Sequence, residues 1–156
     1  MKKPQTLRRH LEACIPHLKR HPDKLHVVIE SGAIATKPGV SLSFEWRYKL
    51  TLLFTDVVDS PDTIVVPLLV WLATHQPDLV ADPERRDKTL SFEAEPVDHD
   101  AIDIAFTLDL TERVIVRAVP GGFECEHADE PQLPDLDGPT GWSMYLAEDP
   151  LVVLTP

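Results

Sequence analysis

The sequence predicts a single α+β domain: a mixed or antiparallel β-sheet with one long strand, packed against an N-terminal helix and a central apolar helix. Three stretches carry that reading. Residues 6–19 place Leu7, Leu11, Cys14, Ile15 and Leu18 at helical spacing, residues 42–54 alternate apolar and polar, and residues 64–72 are apolar on almost every side. At 156 residues the chain can bury a core without disulfides or metal, and its length calls for no second domain, so residues 1–156 are read as one unit.

Pro4 precedes the N-terminal helix, which keeps Arg8, Arg9, Glu12 and Lys19 off its apolar stripe. Pro16 has no N–H and crowds the preceding turn, so the helix kinks or restarts there, and His21-Pro22-Asp23 ends it. Leu25 to Ile29 is a short strand that Ser31-Gly32 turns back towards a second one at 33–36. Lys37-Pro38-Gly39 is the next turn. In the long strand, Leu42, Phe44, Trp46, Tyr48, Leu50, Leu52 and Phe54 take one face and Ser43, Glu45, Arg47, Lys49 and Thr51 the other. At roughly 3.3 Å per residue such a run spans on the order of 40 Å, so it bends or reaches out of the domain.

Asp59-Ser60-Pro61-Asp62 starts the central helix, with Ser60 as N-cap, Pro61 at the first helical position and Asp62 against the positive end of the helix dipole. Pro67 bends it and His75-Gln76-Pro77 stops it. A helix this apolar is covered on two sides, by the sheet and by either another subunit or the N-terminal helix. After a short helix or loop at 78–87, residues 90–94 and 102–108 alternate as strands. Residues 114–119 form a third, joined to its predecessor by a turn within 109–113 as a hairpin. Pro120-Gly121-Gly122 breaks that strand and 123–127 resumes it. Residues 128–141, with Pro131, Pro134 and Pro139, read as a Pro- and acid-rich loop, and Trp142, Tyr145, Leu146 and 151–154 as an apolar C-terminal segment.

The formal net charge is −11, but residues 1–50 hold ten Lys and Arg against four Asp and Glu, a net of +6, which leaves −17 on the remainder. The acidic body repels a phosphate backbone, so basic-on-acidic contact between proteins is favoured over nucleic acid. Lys2, Lys3, Arg8, Arg9, Lys19, Arg20 and Lys24 read as a solvated helix face or a protein contact. Nothing after Lys2 and Lys3 resembles the apolar run of a secretory signal or a membrane span, which gives the expectation of a soluble cytoplasmic protein with no membrane partner. Cys14 and Cys125 are read as free thiols.

Catalytic chemistry finds little support. The chain has no Gly-rich phosphate loop, no Gly-x-Ser-x-Gly and no His-Glu-x-x-His. Cys14 with His17 and Cys125 with His127 imitate two halves of a zinc site, but the second pair lacks the usual spacing. Asp98-His99-Asp100 with Asp103 reads as a solvated turn rather than a cation site. The expectation is a protein that is not an enzyme, with no catalytic residue, metal or other cofactor.

Function enters through a resemblance. Met1-Lys2-Lys3-Pro4, Pro22-Asp23-Lys24-Leu25, Ser41 through Tyr48, Val66-Pro67-Leu68-Leu69 with Trp71-Leu72, and His75-Gln76-Pro77-Asp78-Leu79 together resemble the tail completion protein R (GpR) family of peduovirus-type contractile-tailed phages and prophages. The resemblance covers roughly the first ninety residues. It implies a structural virion protein of the tail, and by analogy a tail-terminator-like fold whose subunits form a hexameric ring. Such a ring caps the tube or sheath at the head-proximal end, stops polymerisation and offers a surface to head-side connector proteins, after a period in the host cytoplasm. The implied partners are other copies of the chain, the tail tube or sheath protein and the connector. A nucleic-acid-binding accessory protein of phage assembly is the alternative. Candidate contact residues are Lys37, Phe44, Glu45, Trp46, Arg47, Tyr48 and Lys49 on the long strand and its approach, with Trp71, Arg8, Arg9, Trp142 and Tyr145. Lys37 to Phe54 is the first candidate for an intersubunit element. The 128–141 loop with the C-terminal segment is the second.

Overall fold

The computed structural model describes residues 1–37, 39, 41–81, 90–97, 100–131, 143–146 and 149–153, with the backbone alone for 80–81, 143–146 and 149–153. Helix α1 (Lys3–Cys14) ends where Ile15 turns extended, and α2 (Pro16–Arg20) begins at the proline. Restart, rather than a kink, is how the chain accommodates the missing N–H of Pro16. A 3-10 turn (Pro22–Lys24) leads into β1 (Leu25–Thr36), and β2 (Phe44–Val57) follows. Then come α3 (Asp62–His75), α4 (Pro77–Ala81), β3 (Leu90–Pro96), β4 (Ile102–Val119) and β5 (Gly122–His127). Strands β6 (Ser143–Leu146) and β7 (Asp149–Val153) form a separate antiparallel pair.

The main sheet is antiparallel throughout, in the order β1-β2-β4-β3, with β5 also on β4. Val114 pairs with both Phe44 of β2 and His127 of β5, so β5 shares with β3 the edge of β4 that faces away from β2. The helices lie on one face. Tyr48, Leu50, Leu52 and Phe54 of β2 and Ile104, Phe106, Leu108 and Leu110 of β4 are buried there with Leu7 and Leu11 of α1 and Leu68, Trp71 and Leu72 of α3. The opposite parity, including Arg47, Lys49 and Asp109, stays open. Helix α1 packs along α3, and His10 Nε2–H donates to the Pro67 carbonyl at 3.0 Å. The N-terminal helix therefore supplies one cover of the apolar α3, while Leu69 remains 45% exposed.

Two expected turns are absent. Ser31-Gly32 does not reverse the chain: β1 continues through it, with a bulge between Ile29 and Ser31. Gly32 answers a packing need, because a Cβ there would meet the Arg47 carbonyl oxygen at 3.0 Å and Tyr48 Cβ at 3.1 Å. Nor is there a hairpin at 109–113, since β4 is one strand of 18 residues. Its alternation passes unbroken from Ile102 to Val116 on even positions, with Glu112 as the one charged member. That glutamate is buried at 4% exposure, and its partners explain how the strand carries it.

Candidate interaction surfaces

Glu112 closes the start of α1 onto the sheet. The Lys2 amide donates to its Oε2 at 2.7 Å, the Lys3 amide to Oε1 at 3.3 Å, and the Tyr48 hydroxyl to Oε1 at 2.6 Å. The His127 ring adds a contact at 3.2 Å. A carboxylate at a helix N-terminus satisfies amides that the helix itself cannot and lies at the positive end of its dipole. Burial pushes the Glu112 carboxyl up, but the Tyr48 hydroxyl and the two amides outweigh it and the net shift is downward. Burial and the same carboxylate push the Tyr48 hydroxyl well up.

Gln76 completes the network. Among the described residues, the stretch of β4 between the β3-paired and β5-paired segments has no strand beside it on that edge, and the Gln76 side chain takes part of the place. Its Oε1 accepts from the Thr111 amide at 3.1 Å and from Lys3 Nζ at 2.6 Å, and its Nε2 donates to Thr111 Oγ1 at 2.9 Å. Lys3 Nζ also meets Glu130 at 2.7 Å. Lys3, at 8% exposure, thus holds together α1, the end of α3 and the chain after β5. Nothing here offers a reaction centre. Buried polar atoms are spent on one another, as in a structural lock.

Among the described residues the helix layer stops at the level of Glu112 while the sheet runs on. Beyond Val114, β4 and β5 form a ribbon closed by Pro120-Gly121, in which Phe123 is 65% exposed and Val119 41%. Beside it, Phe44 and Trp46 pack edge to face at 5.5 Å, both half-buried, and Ile34 lies opposite Trp46 at 55% exposure. On the open face a broad trough is floored by Arg47, Lys49, Asp109 and Thr111, with Arg47 Nε donating to Glu45 at 2.6 Å.

The sequence matches the family model of the P2 phage tail completion protein R (GpR) over residues 1–131. A similar protein, the tail completion protein R of Escherichia phage P2, is 38% identical over 135 residues, covering 86% of this chain and 87% of that one. The chain belongs to the GpR family. No solved structure matches it. A GpR-family tail completion protein is a structural phage protein of the virion tail, not an enzyme, and it works against other tail and virion proteins. The family match reaches well past the ninety residues that carry the resemblance, through β4 and β5, and leaves 132–156 outside it.

In this GpR-family chain the candidate contacts fall into separate places. Glu45, Arg47 and Lys49 lie on the open face, Phe44 and Trp46 on the projecting end, and Lys37 is exposed just past β1. Tyr48 and Trp71 are core residues: Tyr48 is 4% exposed, and Trp71, 2% exposed, stacks on His75 at 4.4 Å. Arg8 is tied to Glu12 at 2.7 Å and to the Pro22 carbonyl, whereas Arg9 on the same helix is exposed. Trp142 lies outside the described residues, as does most of the 128–141 loop, and Tyr145 falls in β6, where the backbone alone is described. Asp98 and His99 are likewise outside. Cys14 lies against His10, one turn back, and Cys125 is exposed on β5. The sequence reading passed over Glu112 and the exposed Phe92 and Phe123, took Gln76 only as part of a helix stop, and put Lys3 on a solvated helix face or protein contact, whereas Lys3 is buried against Gln76 and Glu130. Only the parity of Glu112 within an apolar alternation signalled that it turns inward.

Proposed function

We propose that the chain completes the tail by capping it: copies join into a hexameric ring on the head-proximal end of the tail tube or sheath, end its polymerisation and present a new surface to the head-side connector. The observation that carries this reading is the projecting sheet end, where Phe44 and Phe123 carry an apolar surface past the described helices and Ile34 and Trp46 border it. The division of charge supports it, since a ring needs two different complementary patches on each subunit. A nucleic-acid role loses support, because Lys3, Arg8 and Lys24 of the basic segment are each engaged by a carboxylate.

Light scattering over a range of protein and salt concentrations tests the ring. A six-fold mass is expected, and a monomer at every concentration overturns it. Capping is tested by electron microscopy of tails from a phage lacking this protein, complemented in trans. The native chain is expected to restore tails of uniform length. Phe123→Asp, altered outside the core, is expected to leave them unfinished; normal tails with this variant would remove the projecting end as the docking surface.

A further inference from the structure

The sheet path ends on β1 and β3, each with one paired strand among the described residues. Proteins usually blunt a long edge strand with Lys, Pro or an inward charge, because its free N–H and C=O groups template pairing with another chain. Strand β1 carries a bulge between Ile29 and Ser31 with the charge of Glu30 there, but from Ser31 to Thr36 it has no such guard. Its twelve residues contain no Lys, Arg or Pro, and Val28, Ile29 and Ile34 are 49%, 41% and 55% exposed. At the other edge β3 exposes Phe92 at 65%. We propose that β3 of one copy adds to β1 of the next, so that the sheet continues from subunit to subunit. This deepens the ring reading above and rests on it.

Strand polarity allows the join. All pairings along the path are antiparallel, so β1 and β3 run in opposite directions. Copies related by rotation about an axis along the strands bring them together antiparallel, one patch on a different patch.

The side chains match on both faces. On the helix-bearing face, the register that seats Phe92 over Gly32 also sets Leu90 beside Ile34. An aromatic laid across an edge glycine covers backbone that the glycine leaves bare. On the open face the same register puts Glu93 beside Ser31, which pairs with Lys49 on its other side. Ser31 and Ala33 are short and exposed, so Lys49, with Arg47 beside it, reaches across β1 towards Glu93 of the added strand, and the bulge between Ile29 and Ser31 ends this register before Glu95. The basic early segment and the acidic later one thereby meet across the join.

The test uses full-length chains with one cysteine on β1, Ser31→Cys or Ala33→Cys, and one on β3, Ser91→Cys or Glu93→Cys, each combined with Cys125→Ser. Within one chain these positions are three strand spacings apart, roughly 14 Å, and a disulfide spans Cα atoms only about 4.4–6.8 Å apart, so every bond formed joins two copies. After oxidation, at least one of the four pairs is expected to give a ladder of bonded multimers, whereas either cysteine alone gives no more than a dimer. An assembled mass without a ladder from any pair overturns the edge pairing and leaves the ring standing, whereas a monomeric mass at every concentration overturns both. Independently, Phe92→Lys is expected to lower the assembled mass to that of the monomer with an unchanged circular dichroism spectrum. Undiminished assembly by that variant overturns the pairing.

Discussion

Glu112 shows how one buried carboxylate sets local architecture. Its position in the apolar parity of β4 turns it towards the helices, where the Lys2 and Lys3 amides and the Tyr48 hydroxyl await an acceptor. Glu112→Gln removes the charge while keeping the shape, and is expected to cost about 2–3 kcal/mol at pH 7, the scale of losing charge-assisted hydrogen bonds around a buried group. Urea unfolding measures it. Because the folded-state pKa is depressed, the stabilisation is fully present above the unfolded value near 4.5 and is lost as pH falls through the folded value. The gap between native chain and variant should therefore be wide at pH 7 and shrink below about pH 4.5. A gap that does not vary with pH would mean that the charge of Glu112 is not what holds the helix start. Tyr48→Phe removes one donor and should cost about 1–2 kcal/mol by the same measurement. None of these partners was legible from Glu112 itself, since a glutamate between Thr111 and Arg113 looks like any solvated turn.

At the scale of elements, the β4–β5 ribbon is held by strand pairing and its turn rather than by a core. Gly121 sits at φ +85°, a conformation that residues with a Cβ adopt at a cost. Gly121→Val is expected to destabilise the ribbon by about 1–2 kcal/mol and to speed hydrogen exchange at 115–126, while leaving exchange in β2 and α3 slow. Exchange that rises equally throughout would show that the ribbon is no separate unit. By contrast, Phe106→Ala opens the centre, where Phe106 meets Phe54 edge to face at 5.9 Å, and should cost about 3–5 kcal/mol in global unfolding. The period-two and helical patterns placed β2 and α1 correctly because each buries one coherent face, and the nearly all-round apolar run placed α3; β5, which buries no face, was marked only by the Pro120-Gly121-Gly122 turn before it. They failed at 31–32 and 109–113, where residues typical of turns serve other ends: Gly32 yields space to β2, and the charges of 109–113 lie beside a side-chain and helix-end network rather than in a turn.

For the whole molecule, the opposed edges and the divided charge make one expectation. Arg47→Glu with Lys49→Glu alters exposed open-face residues, so the subunit should stay folded while its association weakens at least tenfold, read as a shift in the concentration at which light scattering shows assembly. Added salt should weaken the native assembly in the same direction, because exposed charges are screened within about 8 Å at physiological ionic strength. Association indifferent to both would leave the apolar sheet end and backbone pairing to carry the contact. The sequence by itself determined the α+β class, the long alternating strand, the apolar central helix, the charge asymmetry and the membership of a tail completion family, because periodicity, composition and motif are local properties of the chain. Tertiary structure alone decided that β4 runs unbroken, which groups meet the Glu112 carboxylate, that Trp71 and Tyr48 are core, and that β1 and β3 end the sheet. Each of those depends on which distant groups arrive beside a residue to satisfy its hydrogen bonds or exclude water from it.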